Sequence, residues 1–138
     1  MKMSVNARNN VLRICISLFL ILSMSSCKSP KFELPGTYVA DYDVAKEKLT
    51  LKKDGTYVQE VTLKSNLKVD VSRGRWSYDH ETQYVTFEDN FMFVLNGHGK
   101  LNPDYAQRKR GIFTVPAGLY FGRMRIGSSE RVLYKKID

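Results

Sequence analysis

Cysteine and histidine are scarce in this chain. Its 138 residues include only two of each, Cys15, Cys27, His80 and His98. Neither histidine has a second histidine or a cysteine at ligand spacing, so the sequence predicts no metal site and no cofactor. His80 lies in a turn-like stretch and His98 lies between two glycines, where solvated side chains are common.

Local catalytic motifs are also missing. The sequence contains neither a nucleophile–base motif nor a glycine-rich phosphate loop that opens a helix. Asp79, His80 and Glu81 are adjacent, but neighbours on a strand point to opposite faces. An acid–base pair assembled by folding, such as Asp79 or His80 with Glu88, needs no local motif. We expect a protein that is not an enzyme.

Long apolar runs are absent with one exception, the 11 residues from Ile14 to Met24. A bilayer span needs about 20 residues, and a core helix would need a polar face that this run lacks. All charges before the run are positive, and they are Lys2, Arg8 and Arg13. A positive segment, a short apolar run and small residues after it are typical of a secretory signal peptide.

The sequence Met24-Ser25-Ser26-Cys27 resembles a bacterial lipobox, with Met where Leu, Val or Ile is usual. The resemblance implies a signal helix and peptide over residues 1–26, acyl chains such as palmitate on Cys27, and a lipidated tether over residues 27–35. It implies a lipid-anchored protein of the cell envelope, with the membrane as its partner. Because Lys28 rather than Asp follows the cysteine, the outer membrane of a Gram-negative bacterium is favoured.

The positive charge is concentrated in the last third of the chain. Residues 28–96 hold ten Lys and Arg against eleven Asp and Glu, whereas residues 97–138 hold nine against three. The long segment 96–111 ends in Arg108, Lys109 and Arg110. This basic loop is either a lip that receives an anionic ligand or lipid head groups, or a solvated loop without a partner. Nucleic acid is not an expected partner, because the export signal removes the chain from it.

The chain after the signal lacks a helical period and shows short apolar–polar alternations instead. We predict eight strands, over residues 36–43, 47–53, 56–64, 73–79, 83–88, 91–96, 117–126 and 130–137. Short successive strands with tight turns predict an all-β antiparallel meander over residues 36–138. Such a meander closes into a small barrel or folds into a two-layer sandwich.

Two hairpins can be placed in register. A three-residue loop over residues 53–55 sets Leu51 opposite Tyr57 and lets the apolar faces agree, with Gly55 left-handed. The second hairpin sets Trp76 and Tyr78 on one strand against Val85 and Phe87 on the next. Trp76 is the only tryptophan, and we expect it to anchor the core.

The order of these strands resembles small lipocalin-like (calycin-type) barrels of bacterial lipoproteins. In lipocalins a glycine followed two residues later by an aromatic begins the first strand, and Gly36-Thr37-Tyr38 matches this with Tyr in place of Trp. A late arginine packs over that aromatic in the family, and Arg123, Arg125 or Arg131 could take its place. The resemblance implies a barrel more than a ligand.

Five residues are candidates for ligand binding: Tyr38, Tyr57, Trp76, Arg123 and Arg125. On an uninterrupted strand over residues 117–126, the two arginines share a face with Leu119 and Phe121. That face is either the solvent side or a cavity, and an arginine in a cavity would indicate an anionic ligand.

Two functions remain open. The first is a binding module that holds a small apolar or anionic molecule or presents loops to an envelope protein. The second is a structural or envelope-stress lipoprotein that only docks on other envelope proteins. A cavity lined by aromatic residues favours the first function, and a solid core with an apolar outer patch favours the second.

Overall fold

The computed structural model describes residues 33–107, 111–128 and 132–138. The signal peptide, Cys27, the basic triplet 108–110 and Arg131 lie outside these ranges. The described residues form eight strands: β1 (Gly36–Asp41), β2 (Ala45–Leu51), β3 (Thr56–Leu63), β4 (Val69–Asp79), β5 (Tyr84–Glu88), β6 (Ile112–Tyr120), β7 (Arg123–Ser128) and β8 (Val132–Lys136). No helix in the described ranges is long and apolar enough to cross a membrane.

The strands form a closed antiparallel barrel in which each pairs with the next and β8 returns to β1. The predicted all-β meander is confirmed, and it closes as a barrel rather than a sandwich. The β1–β8 seam has the shortest ladder, with Tyr38 opposite Lys136 and Val39 opposite Lys135. The backbone N–H of Ile137 extends the seam by donating to the Thr37 carbonyl at 2.9 Å.

The barrel has two ends, which we call the entry end and the far end. The chain enters at Gly36, and the turns 52–55, 80–83 and 121–122 return to that same entry end. The connections 42–44 and 64–68 and the long β5–β6 connection lie at the far end. This division follows from the antiparallel pairing, because successive strands run in opposite directions.

The core is built by the alternation that the sequence shows. On β2 and β3 every second residue is buried, from Ala45 to Leu51 and from Tyr57 to Leu63. The largest fully buried side chains are Tyr38, Tyr57, Tyr134, Phe87, Leu49, Leu51, Ile126, Gln59, Val61, Val85 and Val94. Burying one large apolar side chain contributes about 1.5–3 kcal/mol, so the packed interior supplies the main stabilisation of the barrel.

The predicted register of the first hairpin is confirmed, and the two strands predicted for the second hairpin do pair. Leu51 lies opposite Tyr57, and the loop over residues 53–55 places Gly55 at a φ of 81°. Trp76 lies opposite Phe87 and Tyr78 opposite Val85. The expectation that Trp76 is a core anchor is wrong, because its ring is only partly buried. It sits at the entry end, where its indole N–H donates to the Lys52 carbonyl at 3.0 Å.

The predicted strand over residues 91–96 is wrong. Asp89 and Asn90 have φ values of 62° and 53°, which turn the chain out of the barrel wall. Phe91, Met92 and Val94 are then buried nearly in succession instead of in alternation. This segment enters the far end and packs inside it, with Met92 and Val94 against Ala45, Val61, Leu63 and Tyr105.

The predicted single strand over residues 117–126 is also wrong. It is a hairpin whose turn is Phe121-Gly122, with φ values of 49° and 74°. Tyr120 lies opposite Arg123, and Gly118 lies opposite Arg125. The two arginines therefore share a face with Tyr120 and Gly118, not with Leu119 and Phe121. The prediction has one strand too many at residues 91–96 and one too few at residues 117–126. Its total of eight strands therefore agrees with the number in the described residues.

The remaining strands differ from prediction only at their ends. The largest difference is in β4, which begins at Val69 instead of residue 73. Its early start follows from the turn after β3, where the Leu63 N–H donates to the Lys68 carbonyl at 2.9 Å.

Candidate functional site

The outer surface of β5 to β8 carries a shallow groove. Val115 and Ala117 on β6 and Met124 and Ile126 on β7 are buried inside the barrel, so the residues between them point outward. The groove has a volume of about 460 Å³. Its lining residues are Thr82, Gln83, Tyr84, Pro116, Ala117, Gly118, Tyr120, Arg125, Gly127, Ser128 and Leu133. We call this feature the outer groove.

Small residues create the outer groove, and tyrosines border it. Gly118 lies directly opposite Arg125 in the β6–β7 ladder, so no side chain fills the space beside the arginine. Tyr84 and Tyr120 expose 42% and 59% of their surfaces. The Arg125 guanidinium carbon lies 5.3 Å from the Tyr120 ring centroid, which is a cation–π distance.

Arg125 is the only charged residue among the described residues that line the outer groove. Its Nε atom is buried and has no hydrogen-bond partner among the described residues. Lys135 faces Arg125 in the β7–β8 ladder, and like charges at directly opposite positions repel each other. Within the described ranges neither cation forms an ion pair with a carboxylate. This arrangement favours an anion, which would both neutralise the pair and satisfy the guanidinium.

A second groove, on the outer surface of β1 to β4, differs in its charge balance. It has a volume of about 540 Å³ and contains acids as well as bases. Its Lys46 lies 3.7 Å from Asp41, and its Lys48 lies 3.1 Å from Glu60. Because its charges are paired internally, this groove gives no comparable reason to expect an ionic ligand.

A buried polar cluster lies inside the barrel, made of Glu47 on β2, Gln59 on β3 and Tyr134 on β8. The Gln59 amide nitrogen lies 2.8 Å from a Glu47 carboxylate oxygen, and the Tyr134 hydroxyl donates to the same oxygen. Gln59 also holds Met92, donating to its carbonyl at 2.9 Å and accepting from its N–H at 2.8 Å. The Gln59 side-chain amide thus makes the two backbone hydrogen bonds with Met92 that a neighbouring strand would otherwise make.

Burial raises the pKa of Glu47 from 4.5 to about 7, against the lowering effect of the hydrogen bonds from Tyr134 and Gln59. Burial, together with the nearby Glu47 carboxylate, also raises the pKa of Tyr134 well above its usual value. Tyr134 therefore stays protonated and serves as a donor. The cluster can bind a proton in the core. Through the two hydrogen bonds between Gln59 and the Met92 backbone, it also holds the β5–β6 connection inside the far end of the barrel.

Sequence reasoning missed Glu47 and Gln59, although a signal for them was present. Each is the single polar residue at an inward-facing position of a strongly alternating strand. Their exposed fractions are 4% and 0%. Buried polar side chains need hydrogen-bond partners, so such positions predict an internal network.

The five predicted ligand residues lie on different sides of the barrel wall and do not form one site. Tyr38 and Tyr57 are buried inside, where their hydroxyls donate to the carbonyls of Leu34 and Asp89. Trp76 lies at the entry end, as described above. Arg123 is exposed on the outer surface, and Arg125 lies in the outer groove. Whether any of them binds a ligand stays a prediction.

Among the described residues, the cation that packs over Tyr38 is a lysine. Lys136 Nζ lies 5.9 Å from the Tyr38 ring centroid and donates to the carbonyls of Glu33 at 3.0 Å and Pro35 at 2.8 Å. Gly36 has a φ of 149°, and a Cβ there would lie 2.4 Å from Lys136 Cε. The glycine–aromatic pair at the start of β1 is therefore matched by Lys136 rather than by Arg123 or Arg125.

The residues considered for an acid–base pair or a metal site do not come together. Asp79 and Glu88 lie at opposite ends of the β4–β5 ladder, four residues or about 13 Å apart along the strands. Glu88 pairs with Arg75 at 3.0 Å, and Asp79 accepts the Glu81 N–H at 2.8 Å. Within the described ranges no three His, Cys, Asp or Glu side chains come together as a metal site.

Comparison of the chain with protein-family models, with curated proteins and with solved structures finds no match. Function is therefore inferred from the geometry of this barrel.

Proposed function

We propose that this protein is an exported lipoprotein, cut before Cys27 and acylated there, whose barrel binds an anionic ligand in the outer groove. One observation supports the ligand class: among the described residues, the buried Nε of Arg125 has no partner, Lys135 lies opposite, and no carboxylate lines the groove. The proposed location is the outer membrane of a Gram-negative cell envelope.

The outer groove supports this function better than the barrel interior does. The side chains of Tyr38, Tyr57, Phe87 and Tyr134 are almost fully buried and occupy space inside the barrel. The outer groove falls within the volume range of small-molecule sites. An arginine binds carboxylates and phosphates through two parallel hydrogen bonds, and the flanking tyrosines offer flat apolar faces.

Isothermal titration calorimetry of the detergent-solubilised protein with inorganic phosphate and with benzoate tests the site. We expect saturable binding of at least one anion, weakened tenfold or more by Arg125→Gln. Arg73→Gln is the matched control, since Arg73 is exposed on the outer surface of β4, away from the outer groove. If both variants bind as the wild type does, or if neither anion binds the wild type, the proposed site is wrong.

The anchor is tested by mass spectrometry of the protein purified from membranes. We expect an N-terminus at Cys27 with acyl chains attached. More than one chain is expected, because a single myristoyl-length chain binds membranes only marginally. An unmodified thiol at Cys27 would contradict the anchor and leave the groove proposal untouched.

A second candidate is the structural lipoprotein that only docks on envelope proteins, which the large buried side chains inside the barrel favour. A photo-crosslinking residue in place of Tyr84 distinguishes the two functions in living cells. Capture of one envelope protein in stoichiometric yield supports docking, and loss of the crosslink on addition of a binding anion supports the ligand site.

A further inference from the structure

The tip of the β6–β7 hairpin carries three consecutive exposed apolar residues. Leu119, Tyr120 and Phe121 expose 53%, 59% and 98% of their surfaces. A contiguous apolar patch on a protein surface marks a contact with another protein or with a membrane more often than a single exposed residue does. We call these three residues the apolar tip.

The backbone of the apolar tip is poorly suited to a phenylalanine. Phe121 and Gly122 both have positive φ, which is the type I′ arrangement that Asn, Asp and Gly favour. A Phe at the first of these positions gains no packing that would offset the unfavourable conformation, since its side chain is almost entirely exposed. Folding alone therefore does not explain this residue.

The apolar tip lies at the entry end of the barrel. β1 begins at Gly36 and β6 ends at Tyr120, and antiparallel order places both at the same end. Nine residue steps separate Cys27 from Gly36, so the intervening chain spans at most about 30 Å. A lipid anchor on Cys27 would therefore hold Gly36 within that distance of the bilayer, and the apolar tip lies at the same end of the barrel as Gly36.

Cations flank the apolar tip. Arg123 lies opposite Tyr120 in the ladder, and Arg125 follows two residues later on the same outer face. Within the described ranges Arg123 forms no ion pair with a carboxylate. Aromatic residues with adjacent arginines are typical of the membrane interface, where rings enter the head-group layer and cations meet lipid phosphates.

We propose that the apolar tip inserts into the interface of an anionic bilayer, as a second membrane contact beside the acyl chains. This inference rests on the proposed lipid anchor. Two contacts on one face would fix the orientation of the barrel, with the entry end on the membrane and the far end directed away from it.

The experiment uses the full-length lipidated protein in phosphatidylethanolamine–phosphatidylglycerol vesicles. Phe121→Cys and Leu67→Cys variants each carry one environment-sensitive fluorophore, since acylation blocks Cys27. Leu67 is the matched control, because it is 74% exposed, has a φ of 58° and lies in the turn after β3 at the far end. Both labels replace exposed side chains, so both variants are expected to fold.

We expect the fluorophore at residue 121 to shift to the blue and brighten at least twofold on vesicles, and to be quenched by lipids that carry a shallow nitroxide. The fluorophore at residue 67 should change little. Vesicle flotation is measured on the same samples. Flotation without a change at residue 121, or with an equal change at residue 67, overturns the insertion and leaves the anchor intact. Failure of both proteins to float removes the anchor and the inference together.

A protein partner at the apolar tip is a separate outcome. If the fluorophore at residue 121 changes only when envelope proteins are added to the vesicles, the tip binds protein rather than lipid and the proposal is wrong.

Discussion

The buried polar cluster and the outer groove each contain an ionisable side chain with a buried polar atom, but the surroundings of the two atoms differ. Inside the barrel, the Glu47 carboxylate accepts hydrogen bonds from Gln59 and Tyr134. In the outer groove, the Nε of Arg125 has no partner among the described residues and Lys135 stands opposite. A satisfied network specifies a structure, whereas the unsatisfied Nε is the observation from which we propose an anionic ligand.

The largest effect is expected from Gln59→Leu. The change removes both hydrogen bonds to the Met92 backbone and one to Glu47, all of them buried. We expect a loss of about 3–5 kcal/mol in the free energy of unfolding, measured by urea denaturation. Gln107→Leu is the control, because its amide makes an exposed contact with Asp104 at 2.7 Å and should cost less than about 0.5 kcal/mol. Similar losses in both variants would contradict the role given to Gln59.

The ionisation of Glu47 predicts a pH dependence of stability. Because burial raises its pKa from 4.5 to about 7, the folded protein keeps a proton that the unfolded chain releases between these values. The contribution of Glu47 is therefore fully present below about pH 4.5 and is lost as the pH rises through about 7. Relative to Glu47→Gln, the wild type should lose roughly 2–3 kcal/mol between pH 4.5 and pH 8. Parallel stability curves for the two proteins would contradict a raised pKa.

A smaller effect with the same origin is expected from Tyr134→Phe. The hydroxyl donates to Glu47 and favours its ionised form, so its removal raises the pKa of Glu47 further. We expect a loss of about 1 kcal/mol at pH 5 and a larger loss at pH 8, measured by urea denaturation at both values. Tyr84→Phe, at an exposed position in the outer groove, should change stability by less than about 0.5 kcal/mol at either pH. A loss independent of pH would show that the hydroxyl does not act through Glu47.

The smallest effect on stability is expected from Arg125→Gln. The variant loses a cation–π contact with Tyr120 but also loses the repulsion from Lys135 and the unpaired Nε. These effects oppose each other, so the free energy of unfolding should change by less than about 0.5 kcal/mol. Thermal denaturation at low salt measures it. A loss above about 1.5 kcal/mol in the free energy of unfolding would show that Arg125, like the buried polar cluster, has a structural role.

Most of the barrel could be predicted because inward-facing apolar residues and outward-facing polar residues alternate along its strands. The alternation in β2 and β3 and the three-residue loop over residues 53–55 determine a register that the structure reproduces residue by residue. Closure was expected because an open meander would leave two exposed edges.

The segment after β5 could not be predicted from its own residues. The residues from Phe91 to Val94 form a short apolar run that is typical of a buried strand. Periodicity alone cannot distinguish such a strand from an irregular segment packed inside a barrel. Its placement depends on Gln59, which is 33 residues away in the sequence.

The site was anticipated in part. The residue type of Arg125 makes it a candidate. The turn at Phe121-Gly122 is hard to predict, because its first position holds a phenylalanine, which such turns rarely contain. Without that turn, the sequence places Arg125 on the wrong face of the strand. The groove depends on Gly118, which lies opposite Arg125 only when the hairpin is recognised.

Nuclear magnetic resonance of the arginine Nε–H groups tests the central claim most directly, because it observes the unpaired atom itself. We expect the Arg125 signal to move and to exchange more slowly with water as phosphate or benzoate is added, while the Arg73 signal stays in place. An Arg125 signal that does not respond to either anion, or one that moves no more than the Arg73 signal, would contradict an anion site in the outer groove.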